Sequence, residues 1–534
     1  MRRQGRLPMI TMLAIILLAI GTVLPKAPTI AASTAPPNIV FILTDDLSLD
    51  EIAYMPTLKS LLIDQGTSFS NYFVSVSLCC PSRTTTLRGQ YSHNDGVESN
   101  GGSNGGFETA YRLGVEQSTI ATWLQGGDYR TGQFGKYLNG YPDTASQTYI
   151  PPGWNDFNSS VKGNAYSEYN YTLNQNGTLT AYKHKPTDYG TDVYTGLAVN
   201  FIQQSVQAQK PFFVYLAVYA PHQPATPAPQ DTNLFPGAQA PRTPNYDEQD
   251  VSDKPQYISE LPPLTSKEQQ NIDNLYRKRI QSLQDVDRSI ETLYNTLQAD
   301  GQLDNTYIVF TSDNGFHLGN HRMVAGKQTA YEEDIHLPLI VRGPGIAAGK
   351  TVDQMVGNID LAPTFSAMAG IAPPQFIDGR SFLPLLQGTV PTTWRSVYLV
   401  EHWAQAALKA GQATPPPDSQ EPDDFDQLPP DQYGLDAPTP EPIPPGGRKA
   451  RVRAIPEFHG LRGPGYVYVE YITGEKEFYD LSKDPYELNN LVSRLPRDTL
   501  QALVTRVDQL ATCKADTCRT AEDQPLNVTM PSTS

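Results

Sequence analysis

The chain has few basic residues relative to acidic ones, and this deficit limits the classes of partner that it can bind. Its 534 residues include 40 Lys and Arg against 56 Asp and Glu, which gives a formal net charge of −16. A nucleic-acid partner is not expected, because phosphate neutralisation needs clustered Lys and Arg. An acidic surface does not steer an anionic substrate either, so any anion site must be positive locally. The length fits one large core with a smaller appended unit.

Long apolar runs are also rare, and the longest lies at the start of the chain. Residues 9–24 follow three arginines and precede the small residues Ala31, Ala32 and Ser33, an order typical of a secretory signal peptide. The run of about 16 residues is shorter than the roughly 20 that span a bilayer, so no stable membrane span is expected, with an uncleaved anchor as the alternative. We predict a signal peptide over residues 1–33 and a secreted or extracytoplasmic protein.

Cysteine is scarce as well. The four cysteines form two close pairs, Cys79 with Cys80 and Cys513 with Cys518. In an exported protein the second pair favours a disulfide that closes a small loop near the C-terminus. The first pair has neither a C-x-x-C spacing nor a His pair nearby, which disfavours zinc. A strained vicinal disulfide and two inert buried thiols both stay open for it.

The residues after Cys79 indicate a place for an anion. Pro81 and Arg83 follow the cysteine pair, and Pro is favoured at the start of a helix because its missing N–H costs nothing there. Cys79 is thus expected at a helix N-terminus, where unsatisfied N–H groups and the helix dipole favour a bound oxyanion.

Three apolar runs predict strands that are buried on both faces, as in a parallel sheet. They cover residues 38–44, 211–219 and 306–311. Parallel strands bring their C-terminal ends to one edge of the sheet, where α/β proteins bind ligands. Oxygen-bearing side chains at that edge suit Ca²⁺ or Mg²⁺. The side chains expected there are Asp45, Asp46, His222, Asp313 and Asn314.

Structural interpretations stand beside these functional ones. Asp45 and Asp46 could cap the next helix, and His222 could be a satisfied structural histidine. Lys136 follows a short strand and a glycine, where it could be mere surface charge. It becomes a site residue only if it faces Cys79.

The remaining pattern divides the mature chain. Residues 34–390 form the predicted α/β domain, and residues 448–534 form a C-terminal α+β subdomain with a hairpin at 466–481 and a helix at 498–510. Between them, residues 404–447 are acidic and Pro-rich, which is typical of a linker or loop.

Two helices and one insertion are expected inside the first domain. Residues 55–65 predict a helix, and Ser266 with Gln269 predicts the start of a long amphipathic helix that continues to Leu297. Residues 149–194 predict an irregular insertion of short antiparallel strands whose aromatic side chains wall a pocket.

Seven motifs in this order resemble the sulfatase family of the alkaline-phosphatase-like superfamily, over nearly the whole mature chain. The local sequence around Cys79 and Lys136 is most similar to that of the N-acetylglucosamine-6-sulfatase and extracellular heparan-sulfatase branch. The resemblance implies a large mixed, mainly parallel sheet between helices, with a smaller C-terminal subdomain on an antiparallel sheet. The motifs are Asp45-Asp46, Cys79-Cys80-Pro81-Ser82-Arg83, Gly135-Lys136, His222, Asp313-Asn314-Gly315, Gly326-Lys327 with Tyr331-Glu332, and Tyr479-Asp480-Leu481 with Asp484-Pro485-x-Glu487.

The resemblance also implies a mechanism. A formylglycine-generating enzyme would oxidise Cys79 to an aldehyde whose hydrate attacks sulfur, expels the alcohol and leaves a covalent sulfated intermediate. Collapse of that intermediate to the aldehyde releases sulfate. Positive groups around the hydrate and the sulfate would stabilise the charge that develops. By the resemblance, Ca²⁺, in preference to Mg²⁺, is held by Asp45, Asp46, Cys79, Asp313 and Asn314, Arg83 and Lys136 surround the hydrate, and His222 and Lys327 contact the sulfate.

One position departs from the family pattern. Many arylsulfatases have a histidine two residues after the lysine, which is thought to deprotonate the hydrate, and here that position is Leu138. The candidate replacements are Asn139, His317 and His321, and we select His317 as a pocket residue. A histidine beside Asp-Asn-Gly is equally suited to a structural hydrogen bond.

The expected activity is hydrolysis of a sulfate monoester on a sulfated sugar such as N-acetylglucosamine-6-sulfate. An arylsulfatase of broad specificity is an alternative. A phosphoesterase of the same superfamily would carry Ser or Thr at the nucleophile position beside a zinc pair, and the C-x-P-S-R context speaks against it. A non-enzymatic binder of sulfated glycans would follow if Cys79 stays unmodified.

The chemical state of residue 79 distinguishes the enzyme hypothesis from the glycan-binder hypothesis. We expect peptide mass spectrometry of the protein from its own host to show that Cys79 has lost its sulfur in exchange for oxygen. An intact cysteine in every copy would favour the binder.

Overall fold

A ten-stranded mixed sheet carries most of the strands. The computed structural model describes residues 35–404 and 454–531. The predicted signal peptide and nearly all of the predicted linker therefore lie outside the described residues. The strands are β1 Asn38–Thr44, β2 Thr67–Phe69, β3 Tyr72–Phe73, β4 Arg130–Gly135, β5 Asp156–Gly163, β6 Tyr171–Gln175, β7 Thr178–Tyr182, β8 Phe212–Ala217, β9 Thr306–Ser312, β10 His317–Leu318, β11 Ala325–Gly326, β12 Leu339–Arg342, β13 Lys350–Val352, β14 Val356–Gly357, β15 Tyr398–His402, β16 Phe458–Gly463, β17 Tyr466–Tyr471 and β18 Lys476–Asp480.

The strand order in the main sheet is β13-β2-β12-β9-β1-β8-β4-β5-β6-β7. Its five central strands, β9-β1-β8-β4-β5, are all parallel. Strands β12, β6 and β7 run antiparallel to their inner neighbours. The prediction of a large mixed, mainly parallel sheet is confirmed.

Helices cover both faces of this sheet. Alternate residues of β1 belong to different clusters: Phe41 packs with Phe365 on one face, and Val40 packs with Leu283 and Ile290 on the other. Burial on both faces explains the continuous apolar run. The helices are α1 Cys79–Arg88, α2 Ser92–Asp95, α3 Gly106–Leu113, α4 Ile120–Gly126, α5 Gly190–Gln207, α6 Gln256–Ser259, α7 Ser266–Ala299, α8 Glu332–Ile335, α9 Leu361–Met368, α10 Leu383–Leu386, α11 Arg497–Ala511 and α12 Asp516–Asp523.

Two local predictions need correction. The long helix is α7, but its cap is Thr265, whose hydroxyl accepts from the backbone N–H of Glu268, one residue before the predicted pair. The predicted helix at 55–65 is a π-helix over Leu58–Ile63 that follows a 3₁₀ helix over Leu49–Tyr54. Thr265 and Glu268 form the same capping pattern one position earlier, and the backbone N–H groups of Thr57 and Leu58 donate to Asp287 of α7 where the π-helix begins.

The C-terminal sheet is antiparallel, in the order β15-β16-β17-β18. Strands β17 and β18 form the predicted hairpin, and α11 packs against β15 and β16. The predicted disulfide joins Cys513 and Cys518. Among residues 35–404 and 454–531, no helix combines the length and apolar character needed to cross a bilayer.

A buried ion pair fixes the long helix α7 beneath the end of β1. The Nε and Nη2 atoms of Arg279 each donate to a carboxylate oxygen of Glu51 at 2.7 Å, and both side chains are fully buried. The same guanidinium donates to the backbone carbonyl of Asp46. Arg279 therefore connects the helix to the turn that carries the acidic pair.

Replacing Arg279 with Met is expected to lower the free energy of unfolding by about 3–5 kcal/mol, because it leaves the buried Glu51 carboxylate without its partner. Denaturant-induced unfolding measures the change. The matched control is Lys59→Met, which removes a pair with Asp64 whose side chains are 65% and 51% exposed. That control should cost no more than about 1 kcal/mol, and equal losses in the two variants would contradict a special role for Arg279.

Candidate functional site

Four neighbouring parallel strands each deliver site residues at their C-terminal ends. Asp45 and Asp46 follow β1, Asp313 and Asn314 follow β9, and Lys136 follows β4. His222 comes five residues after the end of β8. These strands are adjacent in the order β9-β1-β8-β4, so the predicted convergence at one edge of the sheet is present.

Helix α1 brings the cysteine to the same edge. The helix begins at Cys79, as expected from the sequence, and its side chain is buried. The Cys79 sulfur lies 3.4 Å from an oxygen of Asp45, 3.8 Å from one of Asp46, and 2.7 Å from the Lys327 ammonium. Arg83, one helical turn later, donates from Nε to Asp313 at 2.8 Å.

The oxygen-bearing side chains form a compact group. Asp313 accepts from the backbone N–H groups of Asp46 and Asn314 at 3.1 and 2.8 Å. The Asn314 amide donates to Asp46 at 2.6 Å. Asp46 has a φ of 66°, in the left-handed region that Asp tolerates better than most non-Gly residues.

Cations balance these carboxylates. Lys136 lies 2.8 Å from Asp45, and Lys327 lies 2.9 Å from Asp46. His222 approaches Asp46 at 3.6 Å through Nε2. Burial by itself raises the pKa of Asp45, but the charges of Lys136 and Arg83 outweigh it and lower that pKa overall. Asp45 is therefore ionised at neutral pH.

Asp313 behaves differently from Asp45. Burial raises the pKa of Asp313 above its usual range, and the charge of Arg83 only partly offsets that rise. The short bond from Arg83 Nε nevertheless requires an acceptor oxygen at Asp313, so the pair forms one electrostatic unit.

The three candidate replacements for the missing histidine lie in different surroundings. The His317 ring bonds through Nδ1 to Asp334 at 3.0 Å, and its Nε2 lies beside Gly326, next to Lys327 in sequence. In the described part of the chain, the His317 ring forms no hydrogen bond with Cys79 or with the carboxylates of Asp45 and Asp46. His321 is buried against Glu248, and burial lowers its pKa to about 4.

Asn139 lies in an open cleft that begins at Lys136. Its side chain is 6% exposed, and neither amide atom has a hydrogen-bond partner within residues 35–404 and 454–531. Its backbone carbonyl accepts from Phe107 at 2.7 Å, which fixes the position of the residue. Other residues that line the cleft are Tyr141, Ser160, Lys162 and Tyr166.

Some residues around the site had no signal in the sequence. Tyr166 packs its ring 4.6 Å from that of His222 and receives the Lys136 ammonium over its face at 4.9 Å. The only hint was the aromatic content of the insertion, which was expected to wall a pocket. Asn358 donates to the Ser82 hydroxyl at 3.0 Å, and Ser82 in turn donates to the Asp313 carbonyl.

Comparison with known proteins identifies the class. The family model described as Sulfatase matches residues 37–371, more than half of the chain. The chain therefore belongs to the sulfatase family, which consists of sulfuric ester hydrolases.

Within that family its relatives include two kinds of sulfatase. The N-acetylglucosamine-6-sulfatases of Capra hircus and Homo sapiens are 35% and 34% identical, and the alignments cover 91% and 92% of this chain and 85% and 87% of the relatives. The extracellular sulfatase SULF-1 homolog of Drosophila melanogaster is 39% identical over 68% of this chain. The chain spans about a third of the length of that last relative, 33%.

Solved structures share the fold at lower identity. One, a complex of a protein with its substrate D-glucosamine-2-N,6-O-disulfate, has a TM-score of 0.66 and 23% identity over 91% of this chain and 99% of its own. The phosphonate monoester hydrolase of Agrobacterium radiobacter has a TM-score of 0.61 and 18% identity over 89% and 94%. At these identities the likeness is one of fold.

Proposed function

We propose that this protein hydrolyses sulfate monoesters on a sulfated sugar such as N-acetylglucosamine-6-sulfate, with residue 79 as nucleophile after its oxidation to formylglycine. The observation that carries the proposal is the position of Cys79. It lies at the N-terminus of α1, within 4 Å of the carboxylates of Asp45 and Asp46 and of the Lys327 ammonium. Hydrated formylglycine would supply a hydroxyl nucleophile at that point.

The oxygen-bearing side chains at the C-terminal edge of the parallel strands fit a calcium ion. Asp46 Oδ2 and Asn314 Oδ1 are buried and have no hydrogen-bond partner in the described part of the chain. The donors of this group are carboxylate and amide oxygens, which Ca²⁺ prefers. Asp45, Asp46, Asp313 and Asn314 would hold the ion, and the bound ion would supply Lewis-acid polarisation of a sulfate oxygen.

The cationic side chains would bind and orient the sulfate group. Lys136 and Lys327 bring their ammonium groups to the two carboxylates nearest Cys79, so both charges face the position where the transition state gains negative charge. Arg83 bridges Asp313 and Asp45 and thereby fixes the carboxylates relative to the start of α1.

His222 would assist the leaving group. Its Nδ1 lies 2.6 Å from the Gln223 carbonyl, so that nitrogen carries a proton. Its Nε2 faces the Asp46 carboxylate at 3.6 Å. An imidazole held in this position can exchange a proton with the leaving-group oxygen. His317 pairs with Gly326, the residue before Lys327, and stays a predicted pocket residue.

A sugar substrate is supported by the cleft at Asn139. The unsatisfied amide of Asn139 offers both a donor and an acceptor, the groups that read the hydroxyl or acetamido substituents of a sugar. Lining tyrosines such as Tyr141 and Tyr166 provide apolar faces for the ring. The match to N-acetylglucosamine-6-sulfatases over 91% and 92% of this chain adds support.

Secretion is part of the proposal. The extracellular sulfatase homologs and the signal-like segment at residues 1–33 both support it. A formylglycine-generating enzyme would act on Cys79 during maturation.

Sulfate release tests the function. The matured protein is expected to release sulfate from N-acetylglucosamine-6-sulfate, as measured by ion chromatography. Lys327→Met should lower kcat/KM by roughly a hundredfold or more, because it removes a positive charge from the developing anion. The exposed Lys350→Met is the matched control and should retain full activity. A Lys327→Met protein with undiminished activity would remove this residue from the site.

Chelation and a phosphate ester complete that experiment. EGTA should abolish sulfate release, and added Ca²⁺ should restore it. A matured protein that releases phosphate from a phosphomonoester, and no sulfate from aryl or sugar sulfates, would favour the phosphoesterase alternative.

Asn139 tests the sugar. Asn139→Ala is expected to lower kcat/KM for N-acetylglucosamine-6-sulfate by roughly tenfold, the effect of one or two lost hydrogen bonds. Hydrolysis of 4-nitrophenyl sulfate should change by no more than about twofold, because an aryl group makes no such bonds. Equal losses on both substrates would show that Asn139 does not select the sugar. Asn295→Ala, on the exposed face of α7, is the control.

A further inference from the structure

A second cluster of metal-ligating side chains comes from the loop between β10 and β11, from helix α8 and from the segment after β18. His321, Glu333 and Glu487 each offer one ligand atom, and these atoms lie within 4.8 Å of one another. His321 is fully buried, and Glu487 is 1% exposed. Atoms that bind one cation at roughly 2.0–2.6 Å lie at most about 5 Å apart, so the spacing fits a shared ion.

The hydrogen bonds of His321 place its ring proton on Nδ1 and leave Nε2 as the nitrogen with a lone pair. Nδ1 lies 2.6 Å from the Glu248 carboxylate and donates to it. Nε2 accepts from the amide nitrogen of Asn245 at 3.4 Å, a long contact that an ion bound at Nε2 would replace. A carboxylate behind the far ring nitrogen is the arrangement that orients a metal-binding histidine. The Tyr331 ring, stacked at 4.2 Å, fixes the plane of the imidazole.

Each glutamate is held by one oxygen and leaves the other unsatisfied. Glu333 Oε1 accepts from the amides of Asn245 and Asn320 at 2.7 and 2.9 Å. Glu487 Oε2 accepts from the backbone N–H of Glu332 at 3.0 Å. The remaining oxygens, Glu333 Oε2 and Glu487 Oε1, are buried and have no hydrogen-bond partner among the described residues.

The local charge favours a cation. The neighbouring Arg462 is paired with Glu332 at 2.6 Å, and Lys254 is paired with Glu248 and Asp253 at 3.3 and 3.0 Å. Within residues 35–404 and 454–531, no lysine or arginine forms a salt bridge with Glu333 or Glu487. Buried carboxylates without a counter-charge are costly, so this pair needs a bound cation or a proton.

We propose that His321, Glu333 and Glu487 bind a divalent metal ion of the zinc class. One imidazole nitrogen and two carboxylate oxygens form a three-ligand zinc set, and water can take the fourth position. The donors differ from the all-oxygen group around Asp46, so the two sites favour different ions. The bound ion connects the loop that carries Lys327 to the C-terminal segment. This inference does not depend on the proposed function.

Zinc binding to the full-length protein tests the site. The chain is stripped with EDTA, equilibrated with excess Ca²⁺, titrated with Zn²⁺, desalted and analysed for bound metal. To exclude zinc at the first rim, every protein carries Cys79→Ala and His222→Ala. We expect one zinc per chain in this background and none after Glu487→Gln. Glu291→Gln, an exposed glutamate on α7, should keep the zinc.

Two further variants keep the result decisive. Glu248→Gln should weaken zinc binding about 10–100-fold without changing the stoichiometry, because it only orients His321. If Glu487→Gln fails to fold by circular dichroism, Glu333→Gln replaces it with the same expected loss. The proposal is overturned if the background protein binds no zinc, or if the Glu487 and Glu333 variants keep it. A rise in melting temperature of Glu487→Gln without bound zinc in its parent would instead indicate a proton shared by the two glutamates.

Discussion

Mutual compensation of buried charges at the C-terminal rim of the sheet is the constraint on which the site depends. Three carboxylates and three cations face one another there with side chains at most 5% exposed. Leaving any one of them without its partner would strand a charge in a medium of low dielectric. The cations come from three separate segments, so the sheet must be fully assembled before the rim is electrically balanced. The members are Asp45, Asp46, Asp313, Arg83, Lys136 and Lys327.

Only part of this charged group could be predicted from the sequence, and the reasons are physical. Strands β1, β8 and β9 could be predicted because burial on both faces leaves a continuous apolar run, and parallel pairing then brings Asp45, Asp46, Asp313 and Asn314 together. The partners of those carboxylates could not be derived from pattern alone. Lys136 contacts Asp45 across 91 positions, and nothing in the local sequence encodes such a contact. Family resemblance placed Lys136 beside the formylglycine hydrate but did not predict its contact with Asp45.

Other features escaped prediction because they arise only in three dimensions. The ring of Tyr166 reaches His222 because β5 to β7 extend the main sheet, and an aromatic-rich stretch does not say which ring will do so. The π-helix at Leu58–Ile63 has the apolar spacing of an ordinary helix. The antiparallel edge therefore shapes the cleft, while the central parallel strands hold the charged rim.

The C-terminal sheet pairs two strands, β15 and β16, that are far apart in the sequence. Strand β15 ends at His402, which pairs with Phe458, the first residue of β16. The two strand ends that flank residues 405–453 in the sequence therefore lie one strand spacing apart. Because the cost of closing a loop grows only slowly with its length, a connection between two such ends can gain or lose residues in evolution while both strands keep their register. It is a natural position for grafting a foreign module onto the enzyme.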